Sequence, residues 1–338
     1  MRVLSLFDGI SAGQLALQRA GIAVETYYAS EIDKYAIQVT QKNFPNTIQL
    51  GEITKWREWD IDWSSIDLVI GGSPCQGFSF AGKQLNFDDP RSALFFVFVD
   101  ICHRVADENP KMRFMLENVR MKKEYQDVIT GYFGVEPIAI NSSLVSAQNR
   151  YRLYWTNITN VTQPDDFGIL LRDIILDDVD EKYYLSAEAI DYMGRLRNGK
   201  ERWEYHKNPI DGKAACLTAN MHKGVPYGVM RITGAAQRGR YLVDGKRADH
   251  TVESMSGLTE QRIEFREDGK SNCLTSVQKD SLVGIKDAHI CRKLTPIECE
   301  RLQTFPDNWT EGISNSQRYK ALGNSWTVDV VTHIFKNL

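Results

Sequence analysis

The segment GGSPCQGFS at positions 71–79 carries the strongest chemical signal in the chain. An apolar run, DLVIG, ends in two glycines, and Pro74 and Cys75 come almost at once after it. In open α/β sheets ligands bind at the carboxyl edge of the strands, so a thiol placed there can meet substrate. Glycine lets the backbone approach a ligand closely. A thiolate is a strong nucleophile, which makes Cys75 the candidate for covalent attack. A lone cysteine is more often a buried structural one. The Pro-Cys-Gln-Gly-Phe-Ser context after a strand favours the nucleophile. Glu117, at the end of another apolar run, can give or take a proton. Arg150 and Arg152 are two residues apart, so in an extended segment they share a face. One would contact substrate and the other would orient Glu117. A solvated strand-end acid and a pair of edge-strand arginines are the plain alternatives, and spacing alone does not separate them.

These groups need a frame. Residues 2–7, 25–30, 67–71 and 112–117 read as buried strands. Residues 11–20 read as a helix stopped by Gly21. Asp33 is placed to cap a helix that ends before Pro45. On 92–106, Phe95, Val99, Cys102 and Ala106 share a face at helical spacing. The alternation predicts an α/β fold, a Rossmann-like and mostly parallel sheet covered by helices on both faces. The turn FDGISAG at 7–13 joins the first strand to the first helix. It lacks G-x-G-x-x-G, which counts against a dinucleotide. A helix starting near Ser11 would aim its N-terminal dipole at an anionic group of a ligand.

At 338 residues the chain is too long for one small core. A net charge of −3 carries no global signature of nucleic-acid binding. Residues 195–247, however, hold 12 Lys/Arg against 4 Asp/Glu, a local basic stretch with little helical periodicity. It predicts a loop-rich, mainly β lobe. The acidic run at 165–181 reads as a boundary, and 321–335 returns to an α/β-like pattern. Six cysteines show neither C-x-x-C nor zinc-ligand spacing, so free thiols and no metal are expected. The N-terminus reads as a strand rather than a leader, and no apolar run reaches the ~18 residues of a membrane span. A soluble, cytoplasmic protein is expected, and nothing in the sequence marks an oligomer interface, so a monomer is too.

The motifs, in their order, resemble the DNA cytosine-5 methyltransferase family across nearly the whole chain. The resemblance implies S-adenosyl-L-methionine as methyl donor and S-adenosyl-L-homocysteine as product. FDGISAG looks like the donor-binding loop, which assigns Phe7, Asp8, Gly9, Ile10, Ser11 and Gly13 to the cofactor. Glu31, with Ile32 beside it, stands where the family places a ribose-binding carboxylate. Gly51-Glu52-Ile53 is similar to the family's Gly-Asp-Ile, whose acid holds the adenine amino group. Pro74, Asn324 and Ser325 complete the implied cofactor set. SPCQGFS holds the catalytic Cys75, Glu117-Asn118-Val119 is similar to Glu-Asn-Val, and 148–152 fits Gln-x-Arg-x-Arg. Residues 292–306 resemble the segment that closes the target-recognition domain. Glu52 for Asp, Ser92 for Gly and Trp326 for a small aliphatic depart from pattern.

A prokaryotic or phage enzyme is implied, with LSLFDGI, VIGGSPC and SWTV similar to the animal de novo branch. The implied division is catalytic 1–165, target recognition 166–309, and a catalytic return at 310–338. The implied reaction is methylation of cytosine C5 in double-stranded DNA, with base flipping and attack by Cys75 at C6. Gln76, Ser79 and Gln148 are expected at the DNA, and 80–91 as a loop that closes over the flipped base. Arg231, Gln237, Arg238 and Arg240 are expected near base edges in the basic lobe. A cognate restriction endonuclease is left open as a partner. A tRNA cytosine-5 methyltransferase is the first rival. Its branch carries Pro-Pro-Cys and Cys-Phe-Thr, whereas here Ser73 precedes Pro74 and Cys216-Leu217-Thr218 is only a faint echo. A catalytically inert DNA-binding relative is the second; such proteins lose the cysteine or the acid, and both are present. An NAD-dependent oxidoreductase is the third, against which the missing glycine fingerprint counts.

Overall fold

The computed structural model describes 1–73, 93–186, 212–223 and 290–338, and between these 188–189, 192, 195–197, 200–201, 225, 229–232, 236–240, 242–243, 246–247 and 260–264. The chain divides into two compact units. The first comprises Met1–Asp178, His206–Gly228 and Leu294–Leu338. The second comprises Val179–Tyr205 and Val229–Lys293. The described residues 212–223 and 294–309 fall within the first unit.

The first unit is built on β1 (Arg2–Leu6), α1 (Ala12–Arg19), β2 (Thr26–Ser30), α2 (Lys34–Asn43), β3 (Ile48–Gln49), β4 (Leu68–Gly71), α3 (Ala93–Glu108), β5 (Arg113–Val119), α4 (Lys123–Phe133), β6 (Ile138–Asn141) and β7 (Tyr151–Thr156). Three helices lie near the C-terminus: α5 (Pro296–Leu302), α6 (Asn315–Asn324) and α7 (Val328–Phe335). The strands form one seven-stranded sheet in the order β3-β2-β1-β4-β5-β7-β6. β7 runs antiparallel to both of its neighbours, and the other pairings are parallel. The α/β expectation holds. The C-terminal return is helical rather than mixed.

Strand periodicity sorts the core. Leu4, Leu6, Val69 and Leu116 join Phe95, Phe98 and Cys102 of α3 and Ile129 of α4 in one buried cluster. Ile70, one residue out of phase, meets α1 instead, where a side chain on Gly13 would come within 2.4 Å of its Cδ1. Gly71 leaves room for Phe98, and any Cβ there would lie 2.7 Å from that ring. Fully burying one such side chain is worth about 1.5–3 kcal/mol.

The strand order reverses between β1 and β4, so the chain leaves these neighbouring strands in opposite directions across the sheet. That switch point opens a crevice at their carboxyl ends. Asp33 caps α2 as expected, its side chain accepting from the Tyr35 amide at 2.9 Å. α5 opens with a capping box between Thr295 and Glu298 and has proline in its first turn.

In the second unit the described backbone pairs in short antiparallel ladders. Val229–Ile232 pairs with Ile290–Lys293, and Ala236–Arg240 with Glu260–Glu264. Leu242–Val243 pairs with Lys246–Arg247, and Leu196–Arg197 with Lys200–Glu201. Among the described residues no helix is long and apolar enough to cross a membrane.

Candidate active site

The switch point holds a cleft of about 420 Å3 within the first unit. Four sheet strands supply its floor from their carboxyl ends or the loops just beyond them. After β1 come Phe7, Asp8, Gly9 and Ile10; after β2, Glu31, Ile32 and Asp33; after β4, Gly72 and Ser73; at the end of β5, Glu117, Asn118 and Val119. Glu52 and Ile53 close one side, and Asn324, Ser325 and Trp326 another.

The loop after β1 is conformationally costly. Phe7, Gly9 and Ser11 all have positive φ, at 58°, 62° and 58°. For residues other than glycine that region costs roughly 1–2 kcal/mol each, and such strain gathers at functional sites. Side chains hold the loop in place. Asp8 accepts from the Tyr27 hydroxyl at 2.8 Å and from Ser11 Oγ. Burial pushes the Asp8 carboxyl above its ordinary range, against the pull of those hydroxyls. Glu31 accepts from the Gly9 amide at 2.8 Å and from the Ile32 and Asp33 amides at 2.7 and 2.8 Å. Its carboxylate thus ties the first loop to the second. Ser11 and Gly13 do not line the cleft: Ser11 is buried against Asp8 and Thr40, and Gly13 is a packing residue beneath Ile70 and Trp326.

A second centre sits at the ends of β5 and β7. The Arg152 Nε lies 2.9 Å from Glu117 Oε1, with both side chains largely covered. The antiparallel register, which sets Val119 opposite Arg152 and Glu117 opposite Tyr154, brings them together. Arg152 is thus the arginine that pairs with Glu117. Arg150 is buried and directed elsewhere, donating to the carbonyls of Leu217 and Ser325 at 2.8 Å each and of Gly323 at 3.3 Å. Burial holds its guanidinium below the ordinary value. Asn118 donates to Ser73 Oγ at 3.3 Å and so joins β5 to the segment after β4.

Gln148, expected at the DNA, is a correction. It is fully buried, donates to Leu302 O at 2.6 Å and to Gln303 Oε1 at 2.8 Å, and accepts from the Leu217 amide at 3.2 Å. Its amide is spent on joining three segments of the first unit. Pro74, Cys75, Gln76, Ser79 and the 80–91 segment lie outside the described residues. For Arg231, Gln237, Arg238 and Arg240 the backbone alone is described, in the ladders facing Cys291, Ile263, Arg262 and Glu260.

Sequence reasoning missed Cys216, Lys320 and Gln317 here, and marked Trp326 only as a departure from pattern. Cys216 stands 3.4 Å from Arg150 Nη1 and 3.8 Å from Arg152 Nη2. Burial opposes ionisation of its thiol, but the two guanidiniums outweigh it and hold the thiol below its ordinary value. The only advance signal was the echo in Cys216-Leu217-Thr218. Trp326 reaches over Gly72, where a Cβ would lie 2.9 Å from its indole nitrogen and 3.0 Å from Glu117 Oε2. Lys320 and Gln317 of α6 also line the cleft, and helical periodicity alone does not single them out. Among the described residues no group of three His, Cys, Asp or Glu could hold a metal ion.

A family model described as C-5 cytosine-specific DNA methylase matches residues 1–338. The chain belongs to that family. It is a C-5 cytosine methyltransferase, and membership implies S-adenosylmethionine as the methyl source and DNA as the substrate. The methylase is 28% identical to the orphan methyltransferase M.SPRI of Bacillus phage SPR, over 100% of this chain and 97% of that one. It is 29% identical to the type II methyltransferase M.HpaII of Haemophilus parainfluenzae, over 97% of this chain and 86% of that one. Its fold is shared with an Entamoeba histolytica methyltransferase, at a TM-score of 0.66 and 16% identity over 100% and 97% of the two chains. The same holds for a Spodoptera frugiperda DNMT2 mutant, at 0.62 and 20% over 99% and 98%.

Proposed function

We propose that the methylase modifies cytosine at C5 within a short specific sequence of double-stranded DNA, with Cys75 as nucleophile. The observation that carries this reading is the meeting, in one cleft, of the loop after β1, Glu31 and the Glu117–Arg152 pair. The cleft fits the donor. Its volume suits a nucleoside-sized ligand, and Ser325 Oγ is buried on its wall with no hydrogen-bond partner. Glu31 and Ile32 would hold the ribose, Glu52 and Ile53 the adenine, and Ser325 with Asn324 the methionine end. Phe7, Asp8, Gly9 and Ile10 would shape the floor. When bound, the donor supplies an electrophilic methyl group.

Cytosine C5 is too weak a nucleophile to take that methyl unaided. The Cys75 thiolate adds to C6, and the electron pair displaced from the C5–C6 bond makes C5 nucleophilic. Glu117 offers a proton or hydrogen bond at N3, where negative charge gathers, and Arg152 holds Glu117 in position. Loss of the C5 proton and expulsion of Cys75 regenerate the ring and the thiolate. A stacked cytosine is out of reach, so the base must flip, at a cost of roughly a few kcal/mol. The basic stretch at 195–247 supplies phosphate contacts. The working form would be a monomer in the cytoplasm. The names of type II relatives make a cognate endonuclease a reasonable partner, although the phage relative is called an orphan.

Duplex DNA containing 5-fluorocytosine should trap the enzyme covalently in the presence of the donor, because the fluorine that replaces the C5 proton cannot leave as a cation. Cys75→Ala should abolish both the adduct and methyl transfer. Transfer of labelled methyl to tRNA but not to duplex DNA would refute the substrate assignment, and a fully active Cys75→Ala the mechanism. Bisulfite sequencing of DNA from cells expressing the enzyme would give its target sequence.

A further inference from the structure

The cleft has two facing walls, and one ion pair spans them. One wall is the turn after β2, which runs from Glu31 to Asp33 at the start of α2. The other is α6, which presents Lys320. Lys320 Nζ lies 2.8 Å from Asp33 Oδ2, and both residues line the cleft. Bonds farther out also join α2 to the C-terminal region. Gln38 donates to Gly312 O, Lys42 to Asn308 O and Asn43 to Trp309 O. Those contacts hold the segment before α6, away from the cleft.

The body of α6 is anchored independently. Arg318 pairs with the buried Glu300, and the Gly323 and Ser325 carbonyls accept from Arg150. The two helices therefore need not move for the cleft to open here. Only the ammonium and the carboxylate must part, and both are partly exposed. A pair of this kind is weak enough to break often and is sensitive to salt.

We propose that Asp33 and Lys320 form a side-chain latch over the nucleoside end of the methyl donor, slowing release of donor and product. The inference rests on the cofactor assignment above, which puts the ribose at Glu31, two residues before Asp33. Burial opposes ionisation of Asp33, but the Lys320 ammonium and the Tyr35 and Ala36 amides together outweigh that and hold the carboxyl below its ordinary value.

Two variants open the latch in different ways. Asp33→Asn removes the charge yet keeps an acceptor for the Tyr35 amide, so the cap of α2 survives. Lys320→Met removes the ammonium and keeps most of the stem. The measurement is dissociation of tritiated S-adenosylmethionine, and separately of S-adenosylhomocysteine, from the full chain in a chase without DNA. Each variant should release both ligands about two- to fivefold faster. The double variant should release them no faster than either single one, and Lys320→Arg should restore slow release. Added salt should speed release from the wild type and leave Lys320→Met unchanged. Unaltered rates in both single variants, with wild-type binding intact, would overturn the latch, as would additive effects in the double variant. A wild type that binds neither ligand would instead overturn the cofactor assignment.

Discussion

Arg150 and Arg152 share a strand face, yet their environments separate their roles. Arg152 meets a carboxylate, and Arg150 meets three carbonyls. Glu117→Gln should lower kcat for methyl transfer to duplex DNA by about 10²- to 10⁴-fold, the usual worth of a positioned general acid. Arg152→Met should act in the same direction by freeing Glu117. Single-turnover rates with labelled donor would check both, and undiminished rates would remove Glu117 from the mechanism. Asp8 makes a pH-dependent prediction. Its folded pKa is raised by burial, so the stability linked to it is complete below the ordinary value of 3.8 and is lost as pH rises through the raised one. Asp8→Asn has no such titration. Wild type should therefore gain on Asp8→Asn in urea midpoint as the pH is lowered from neutral toward 4, and parallel midpoints would contradict the burial argument.

At the scale of elements, the site depends on close packing between segments far apart in sequence. The C-terminal end of α6 presses so tightly on 218–219 that a Cβ on Gly323 would lie 2.2 Å from the carbonyl carbon of Thr218 and 2.4 Å from the Ala219 nitrogen. Backbone cannot swing aside as a side chain can. Gly323→Ala should destabilise the fold by about 1–3 kcal/mol, the usual cost of overpacking, visible as a lower thermal midpoint. It should also disturb Arg150, whose acceptors include Leu217 O and Gly323 O. The start of α5 gives a milder case. Thr295→Ala removes its capping acceptor and should cost about 1 kcal/mol in urea unfolding. Elements with strong local signals were legible in advance: β1, α1, β2, the Asp33-capped α2 and β4 lie within a residue or two of expectation. Helices α6 and α7 were not separated from a mixed pattern, because α6 buries only part of one face and its shape is fixed by partners outside itself.

For the whole molecule, the division of labour makes salt the informative variable. If the basic stretch at 195–247 contacts phosphates, neutralising Arg231, Arg238 or Arg240 should each flatten the plot of log affinity for duplex DNA against log salt by about one unit per lost contact. Fluorescence anisotropy over a salt series would measure it, and an unchanged slope would move the DNA contacts elsewhere. The Rossmann-like frame was legible from residue type and local spacing, and the order of the motifs through their resemblance to the family. Periodicity and turn chemistry act over a few residues, and a one-dimensional string records them. What the chain could not declare in one dimension was which distant groups would meet. Gln148 looked like a contact for DNA and became a buried link from the segment before β7 to the end of α5 and to Leu217. Cys216 looked incidental and came to rest against two guanidiniums. Lys320 was one lysine among many until folding set it against Asp33, 287 residues away. Such pairings arise from the strand register and the packing of the C-terminal helices, which are properties of the whole folded unit and of no local segment.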